Sequence, residues 1–324
     1  MSEFDVVVIG GGTGGYVCAI RAAQLGLQVA LVEKDRLGGV CLNWGCIPTK
    51  TLLRSAGLYL QTKGLAEFGV QVEGPVSVDW PRMVARKDKV VDRLVGGVEN
   101  LLAGHDITVL NGRARLDSGK RVEVVLNDGE QTILETRSVV VATGSVPACP
   151  PIAGLDLPGV VTSDGILALE AIPQRLAIIG GGVIGIEFAA LFSALGARVT
   201  VVEMLPNILP PVDEELAKRY RIFLKRQGVE LKLGARVEEV VALEGGLAVR
   251  YELRNRSETV EADLVLNATG RMPFSEGLGL DALGVSRDTR RRWHLCHRRR
   301  DGGGAAGPCR QLPGRGGCRS DCWP

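Results

Sequence analysis

The chain has 324 residues, 45% hydrophobic and 23% charged, which is typical of a globular protein of about two domains. Its net charge of +2 is unevenly placed, because ten arginines and three aspartates after residue 286 carry +7 and leave −5 on residues 1–286. An acidic body argues against a general nucleic-acid or membrane-surface binder, and no run reaches the ~18 apolar residues of a membrane span.

The N-terminus has no positively charged start and only a short apolar run, so no signal peptide is predicted. We therefore expect a cytoplasmic protein. In that compartment eight cysteines are more typical of redox chemistry or metal binding than of structural disulfides.

The first predicted unit is a strand over Phe4–Ile9, a glycine-rich turn, an amphipathic helix and a second strand. The turn has the spacing Gly10-x-Gly12-x-x-Gly15, which permits a tight bend, close approach of a pyrophosphate, and close packing of helix on strand. Glu33 ends the second strand, where a carboxylate accepts hydrogen bonds from ribose hydroxyls. The unit is therefore predicted to bind a dinucleotide.

A cysteine-containing stretch, GGVCLNWGCIPTK, follows from Gly38 to Lys50. Cys41 and Cys46 would be roughly 8–9 Å apart in a straight helix, whereas a disulfide needs Cα atoms within about 7 Å. A bridge therefore requires a distorted loop or helix entry, which the glycines, Asn43 and Pro48 permit. Two free thiols packed as small hydrophobic groups are the alternative. Zinc is disfavoured, because residues 1–286 contain no second Cys/His pair at ligand spacing.

The middle of the chain is predicted to contain one helix and several strands. They cover about Pro81–Leu102, Ile107–Leu110, Arg121–Leu126 and a strand ending at Val139–Ala142. The sequences VVVATGS and LVLNATGR, at 139–145 and 264–271, are near copies that each place a buried strand before Ala-Thr-Gly. A proline-rich linker is predicted over 146–158.

A second unit with the same pattern is predicted at 175–203, with the turn Gly180-x-Gly182-x-x-Gly185. Glu203 lies eighteen residues after Gly185, the spacing of Glu33 from its own turn. A carboxylate there accepts from a ribose 2′-OH and repels a 2′-phosphate, which favours NAD over NADP. The predicted fold is thus α/β with two Rossmann-like dinucleotide-binding domains, most simply for FAD and NAD.

The pattern ends after about Val285, where an Arg/Gly/Cys-rich tail begins. We interpret the tail from about Thr289 as out of frame with an ancestral reading frame, and the coding DNA tests this hypothesis. A disordered tail or an arginine-rich nucleic-acid-binding segment is an alternative. A zinc module is another, with two histidines and four cysteines as its candidate ligands: Cys296, Cys309, Cys318 and Cys322.

The cysteine stretch resembles the redox-active disulfide segment of the flavoprotein disulfide reductases, and the two glycine turns resemble that family's FAD and NAD sites. Within the family, CLNWGCIPTKTLLRSA, GGGVIGIEFAALFSALGARVTVVEMLPNILPPVDEEL and Glu203 most resemble the dihydrolipoyl dehydrogenases. Glutathione and mercuric reductases are similar but usually favour NADPH. The resemblance covers about residues 3–286.

This resemblance implies a redox-active Cys41–Cys46 disulfide, with Cys41 as the interchange thiol and Cys46 beside the flavin. It places Lys50 near flavin N5, Glu33 at the FAD ribose and Glu187 near the nicotinamide. Other implied cofactor contacts are Ala114 at the adenine of FAD, Thr143, Gly144 and Ser145 against FAD, and Gly270 beside NAD. The implied reaction oxidises dihydrolipoamide on a 2-oxoacid dehydrogenase complex through the disulfide and FAD, and reduces NAD⁺.

The implied domains are 1–145 (first part of the FAD domain), 146–271 (NAD domain), 272–286 (start of the return to the FAD domain) and 287–324 (anomalous tail). The sequence shows neither the family's later Gly-Asp segment for FAD, nor its dimer-interface domain, nor its His-Pro segment with the general base. A non-catalytic NAD/FAD-binding remnant of a frameshifted or truncated gene is therefore the alternative to an active enzyme. An NADPH-linked disulfide or metal reductase is disfavoured by Glu203.

Overall fold

The computed structural model describes residues 2–118, 120–286 and 297–298. In chain order the first elements are β1 Ser2–Ile9, α1 Thr13–Gln24, β2 Val29–Glu33, α2 Gly39–Asn43, α3 Cys46–Thr62, α4 Trp80–Ala103, β3 Thr108–Ser118, β4 Arg121–Leu126, β5 Gln131–Val141 and β6 Ser145–Pro147. The later elements are β7 Val160–Val161, β8 Arg175–Ile179, α5 Val183–Ala194, β9 Arg198–Glu203, α6 Glu214–Arg226, β10 Glu230–Leu233, β11 Ala235–Leu243, β12 Gly246–Leu253, β13 Arg256–Ala262, β14 Leu264–Asn267, β15 Arg271–Pro273, β16 Val285–Ser286 and β17 His297–Arg298. Two 3₁₀ turns lie at Leu65–Phe68 and Gly165–Ala168.

The first unit is built on a closed ring of strands in the order β1-β2-β3-β4-β5. β1 pairs in parallel with β2 and β5, and β2 pairs in parallel with β3. β3 and β5 are eleven residues long, so both run past the parallel region, where β4 joins them in antiparallel fashion. Val7 and Val8 point to opposite faces of β1 and are both fully buried, as expected for a strand covered on both sides.

The second unit is a five-stranded parallel sheet in the order β10-β9-β8-β14-β7. The chain runs from β8 through α5 to β9 on one side, while β14 pairs with β8 on the other. β1 has the same position in the first unit, between β2 and β5. Both glycine turns therefore lie where the strand order reverses. Such points are where ligands of open α/β sheets bind. The predicted α/β class with two Rossmann-like units is confirmed.

A three-stranded antiparallel sheet, β11-β12-β13, was not predicted from the sequence. It covers one face of the second sheet, where Val240, Leu247 and Val249 pack with Ala177 and Val265. Three consecutive buried residues in β12 interrupt the alternation by which a half-exposed strand is recognised.

Helix packing joins the two units. Leu52 of α3 and Trp80 of α4 belong to the same hydrophobic core as Phe188 and Phe192 of α5. The Trp80 ring lies 5.9 Å from the Phe192 ring, and its indole N–H donates to the carbonyl of Leu169 at 2.9 Å. The helix that begins at Cys46 is therefore packed directly on the helix that follows the second glycine turn.

The chain passes between the units through an antiparallel ribbon of β6 and β15. After β15 it returns to the first unit, where Leu278 and Leu280 are buried against the closed ring. The Leu116 amide donates to the Leu278 carbonyl at 3.0 Å, which ties this return to β3.

The domain boundaries deduced from the sequence remain predictions. Among the helices described, none is long and apolar enough to cross a membrane.

Candidate functional site

The first glycine turn leaves no room for a side chain at Gly10 or at Gly15. Gly10 has φ +107°, and a Cβ placed on it would lie 2.4 Å from the Ala142 carbonyl oxygen. A Cβ on Gly15 would lie 1.7 Å from the Gly10 carbonyl oxygen. Gly12 precedes α1 as its N-cap and offers no side chain to the helix's first N–H groups, which leaves them for an anion.

The second glycine turn repeats this geometry. Gly180 has φ +109°, and its Cβ would lie 2.4 Å from the Ala268 carbonyl oxygen. A Cβ on Gly185 would lie 2.1 Å from the Gly180 carbonyl oxygen. Gly182 is the N-cap of α5, and no heavy atom lies within 4 Å of its Cβ position, so the front of the turn is open. Both cradles fit the diphosphate of a dinucleotide.

The two strand-end carboxylates are buried and held by backbone amides. Glu33 accepts from the Gly11 amide at 2.7 Å and from the amide two residues beyond itself at 2.9 Å. Glu203 accepts from the Gly181 amide at 2.5 Å and likewise from the amide two residues on at 2.7 Å. A carboxylate oxygen accepts more than one hydrogen bond, so both groups retain capacity for a ribose hydroxyl.

The cysteine pair lies at an interrupted helix entry, the kind of geometry that a Cys41–Cys46 bridge would require. Cys41 is in the five-residue helix α2, and Cys46 is the first residue of α3. Between the two helices, Trp44 and Gly45 interrupt the helical conformation. Gly45 has φ −142° and ψ −109°, outside the helical region. Both thiols are free in this structure, and their side chains are hydrogen-bonded to each other.

The pKa of the Cys41 thiol is raised from 9.0 to about 11, mainly by burial and in addition by the hydrogen bond to Cys46 and the charge of Cys46. The positive charge of Lys50, one turn into α3, opposes this shift. Cys41 is accordingly protonated at neutral pH while the pair is reduced.

This pKa gives a prediction for alkylation. The reduced chain should react with iodoacetamide at Cys41 at a rate that rises about tenfold per pH unit from pH 7 to 10 without a plateau, because the thiolate is the nucleophile. Lys50→Met should slow the reaction, since Lys50 favours the thiolate. Peptide mass spectrometry follows the rate. A plateau below pH 9, or equal rates in both proteins, would contradict the assignment.

An ion pair spans the two units beside the cysteines. Lys50 Nζ of α3 lies 3.0 Å from Glu187 Oε1 of α5, with the two side chains 60% and 28% exposed. The hydrogen bond to Glu187 is the main cause of a raised pKa of Lys50. The structure thus brings together the residues predicted to lie at flavin N5 and at the nicotinamide, while those two roles remain predictions.

Glu187→Gln should lower the free energy of unfolding by about 0.5 kcal/mol, as for a partly exposed ion pair. The folded-state pKa of Lys50 is raised, so its contribution is complete below the unfolded value of about 10.4 and is lost as the pH rises through the folded value. The difference between the two proteins should be constant from pH 7 to 9 and shrink above pH 10, measured by urea unfolding. Glu214→Gln, which removes a pair with Lys218 inside α6, is the control for loss of one charge. A Glu187→Gln difference that does not change with pH would refute the linkage to Lys50.

The other predicted residues surround the crossing between the units. Thr143, Gly144 and Ser145 lead from β5 into β6, and Gly270 precedes β15 with φ +135°. Ala114 lies further away, within β3 opposite Val124, with its side chain against the core of the closed ring. Its predicted contact with adenine remains a prediction.

Arg271 is a residue at the crossing that the sequence did not indicate. Its half-buried guanidinium donates to Ser145 Oγ at 2.9 Å and to the Ser145 carbonyl at 2.6 Å, and burial lowers its pKa. Nearby, the Thr143 hydroxyl donates to the Phe274 carbonyl at 2.5 Å. The near repeat of Ala-Thr-Gly was a signal for this region, but only the second copy is followed by arginine.

Across residues 2–118, 120–286 and 297–298, no three His, Cys, Asp or Glu side chains converge as metal ligands. The four cysteines of the zinc alternative lie outside the described residues, as does nearly all of the proposed out-of-frame tail.

A family model described as pyridine nucleotide-disulphide oxidoreductase matches residues 4–296. A dihydrolipoyl dehydrogenase of Acholeplasma laidlawii is 43% identical over 88% of this chain and 83% of its own length. Dihydrolipoyl dehydrogenase 3 of Pseudomonas aeruginosa is 43% identical over 90% of this chain. Leghemoglobin reductase of Glycine max is 41% identical over 88% of this chain.

Among solved structures, the Cu(II) complex of the HOCl-induced flavoprotein disulfide reductase RclA from Escherichia coli superposes with a TM-score of 0.77 and 32% identity, over 90% of this chain. The chain spans 62% of that protein, 63% of the Pseudomonas relative and 55% of the Glycine max relative.

Proposed function

Because this chain belongs to the pyridine nucleotide-disulphide oxidoreductase family, we propose that it oxidises dihydrolipoamide through Cys41 and Cys46 with FAD, and reduces NAD⁺. One observation supports this most strongly. Cys46 begins the helix α3, and α3 packs on α5, the helix that starts at the second glycine turn. This packing supports a thiol pair that works between the two proposed dinucleotide sites.

FAD and NAD(P) are the cofactors that this family implies, and the two cradles fit them. In our proposal FAD is held by Gly10, Gly12, Gly15, Glu33, Lys50, Ala114, Thr143, Gly144 and Ser145. The nicotinamide dinucleotide is held by Gly180, Gly182, Gly185, Glu187, Glu203 and Gly270. When bound, the two cofactors supply the two-electron acceptor chemistry that returns the reduced cysteines to a disulfide. The carboxylate of Glu203 selects NAD over NADP.

The protein's own part in the reaction is thiol–disulfide exchange. With the pair oxidised, a substrate thiolate attacks Cys41 Sγ, the Cys41–Cys46 bond breaks, and the electron pair leaves on Cys46 Sγ. The second substrate thiol loses its proton and attacks the substrate sulfur of the mixed disulfide, expelling Cys41, which takes up a proton. The substrate thus becomes a cyclic disulfide and the cysteine pair gains two electrons. Lys50 stabilises the negative charge that develops on the pair.

The proposed electron donor is dihydrolipoamide carried by a 2-oxoacid dehydrogenase complex. This assignment is supported by the dihydrolipoyl dehydrogenases among the relatives, two of which are 43% identical to this chain. A cytoplasmic location belongs to the same proposal, because thiols remain reduced there.

The purified chain tests the proposal through its absorbance spectrum and its turnover. We expect a yellow protein that reduces NAD⁺ with dihydrolipoamide and works more slowly with NADP⁺. A colourless protein without turnover, even with added FAD, would contradict the proposal and favour a dinucleotide-binding remnant. Turnover with NADPH and an oxidised disulfide, but not with NAD⁺, would favour the NADPH-linked reductase.

A further inference from the structure

The dinucleotide fingerprint G-x-G-x-x-G allows any residue at its second position. Both turns nevertheless have glycine there, Gly11 and Gly181. Neither has a positive φ, so backbone conformation does not require glycine at these positions. In the second turn the space is limited by Glu203. A Cβ on Gly181 would lie 3.1 Å from Cβ, Cγ and Oε2 of that side chain.

Both backbone polar groups of Gly181 also form hydrogen bonds. Its amide donates to Glu203 Oε2 at 2.5 Å, and its carbonyl accepts from the Leu209 amide at 2.9 Å. The other oxygen of Glu203 accepts from the Leu205 amide at 2.7 Å, and Glu203 is only 8% exposed. Two backbone amides therefore hold the carboxylate in place. The absence of a side chain at position 181 leaves the space that the carboxylate occupies.

We propose that Gly181 is a specificity-determining positioning residue, which holds Glu203 where the carboxylate distinguishes a ribose 2′-OH from a 2′-phosphate. The proposal rests on the proposed use of NAD. Gly181 acts through Glu203 rather than through contact with the ribose.

The physical reason is that both parts of the discrimination depend on the position of the carboxylate. Its hydrogen bond to a 2′-OH weakens steeply when distance or angle departs from the optimum, and its repulsion of a 2′-phosphate weakens as the charges separate. A methyl group on residue 181 would push Glu203 away by a few tenths of an ångström and strain its bond to the amide. Affinity for NADH should then fall while affinity for NADPH is kept or rises.

The first turn offers a comparison at the other dinucleotide site. The Gly11 amide donates to Glu33 at 2.7 Å, and a Cβ on Gly11 would lie 2.7 Å from Leu37 Cδ2 and 3.2 to 3.3 Å from the Glu33 side chain. The same substitution there would displace Leu37 and Glu33, which lie at the proposed FAD site and not at the nicotinamide dinucleotide. Gly11→Ala should therefore leave the choice between NADH and NADPH unchanged.

The experiment is isothermal titration of the full chain with NADH and with NADPH. The native chain should prefer NADH, and Gly181→Ala should reduce the NADH:NADPH affinity ratio by about three- to tenfold. Gly182→Ala is the matched control, because its methyl group enters the open front of the turn and meets no protein atom. That control should weaken both nucleotides and keep their ratio within about twofold.

A second variant covers the case in which Gly181→Ala does not fold, as judged by circular dichroism. Glu203→Asp keeps the charge but withdraws it from the Gly181 amide, and should lower the ratio by a similar factor. Equal loss of NADH and NADPH affinity in Gly181→Ala, or an unchanged ratio in Glu203→Asp, would overturn the proposal. So would a native chain without preference. Preserved selective binding without dihydrolipoamide turnover would count against the proposed function alone.

Discussion

Replacement of Cys46 by serine is expected to reduce dihydrolipoamide-dependent reduction of NAD⁺ by at least about 10³-fold. A serine hydroxyl forms no disulfide, so Cys41 has no partner bond for the substrate to break. Cys46 is the first residue of α3 and is exposed, so the smaller polar side chain should be tolerated. Initial rates and the unfolding midpoint of the purified variant measure the two expectations.

Cys149→Ser is the matched control, because Cys149 is also an exposed free thiol but lies in the linker that follows β6. It should keep the native rate within about twofold, since no step of the exchange uses it. Comparable, near-native rates in both variants would show that oxidation of the substrate does not depend on the Cys41–Cys46 pair.

Gly15→Ala is expected to lower the free energy of unfolding by about 3 kcal/mol or more and to impair FAD binding. The added methyl carbon would lie 1.7 Å from the Gly10 carbonyl oxygen, an atom of the backbone that cannot rotate away. The turn and the start of α1 must therefore separate, which disturbs the cradle for the diphosphate. Urea unfolding gives the stability change, and the flavin absorbance of the purified protein gives the loss of cofactor.

Gly14→Ala, one residue earlier in the same helix, is the control for the second prediction. No heavy atom lies within 4 Å of its Cβ position, so the substitution meets open space. Because alanine favours helix over glycine, it should stabilise the protein by about 0.5–1 kcal/mol. If Gly15→Ala unfolded at the same urea concentration as Gly14→Ala, close packing of α1 on the turn would not be what requires glycine at position 15.

The strands that lead into and out of the two glycine turns were predictable because they are short apolar runs, whereas β7 and β10 were not predicted. β4 begins and ends at the predicted residues, and α4 differs from its predicted bounds by one residue at each end. β3 continues eight residues beyond the predicted Leu110, because its second half pairs with β4 and leaves the parallel region. Such pairing depends on a distant strand, and no local pattern in β3 indicates it.

By itself the sequence determined the two glycine turns, the strands before them and the glutamate eighteen residues after each turn. These features are local: only glycine fits at Gly10 and Gly180, whose φ values exceed +100° and whose Cβ positions would each lie 2.4 Å from a carbonyl oxygen. The tertiary structure alone decided that Lys50 meets Glu187, 137 residues away, and that Arg271 bonds to Ser145, 126 residues away. It also placed each strand-end carboxylate on a turn amide. Such contacts arise because α3, α4 and α5 share one hydrophobic core and because β6 pairs with β15. Packing between distant segments leaves no pattern in the residues of either segment alone.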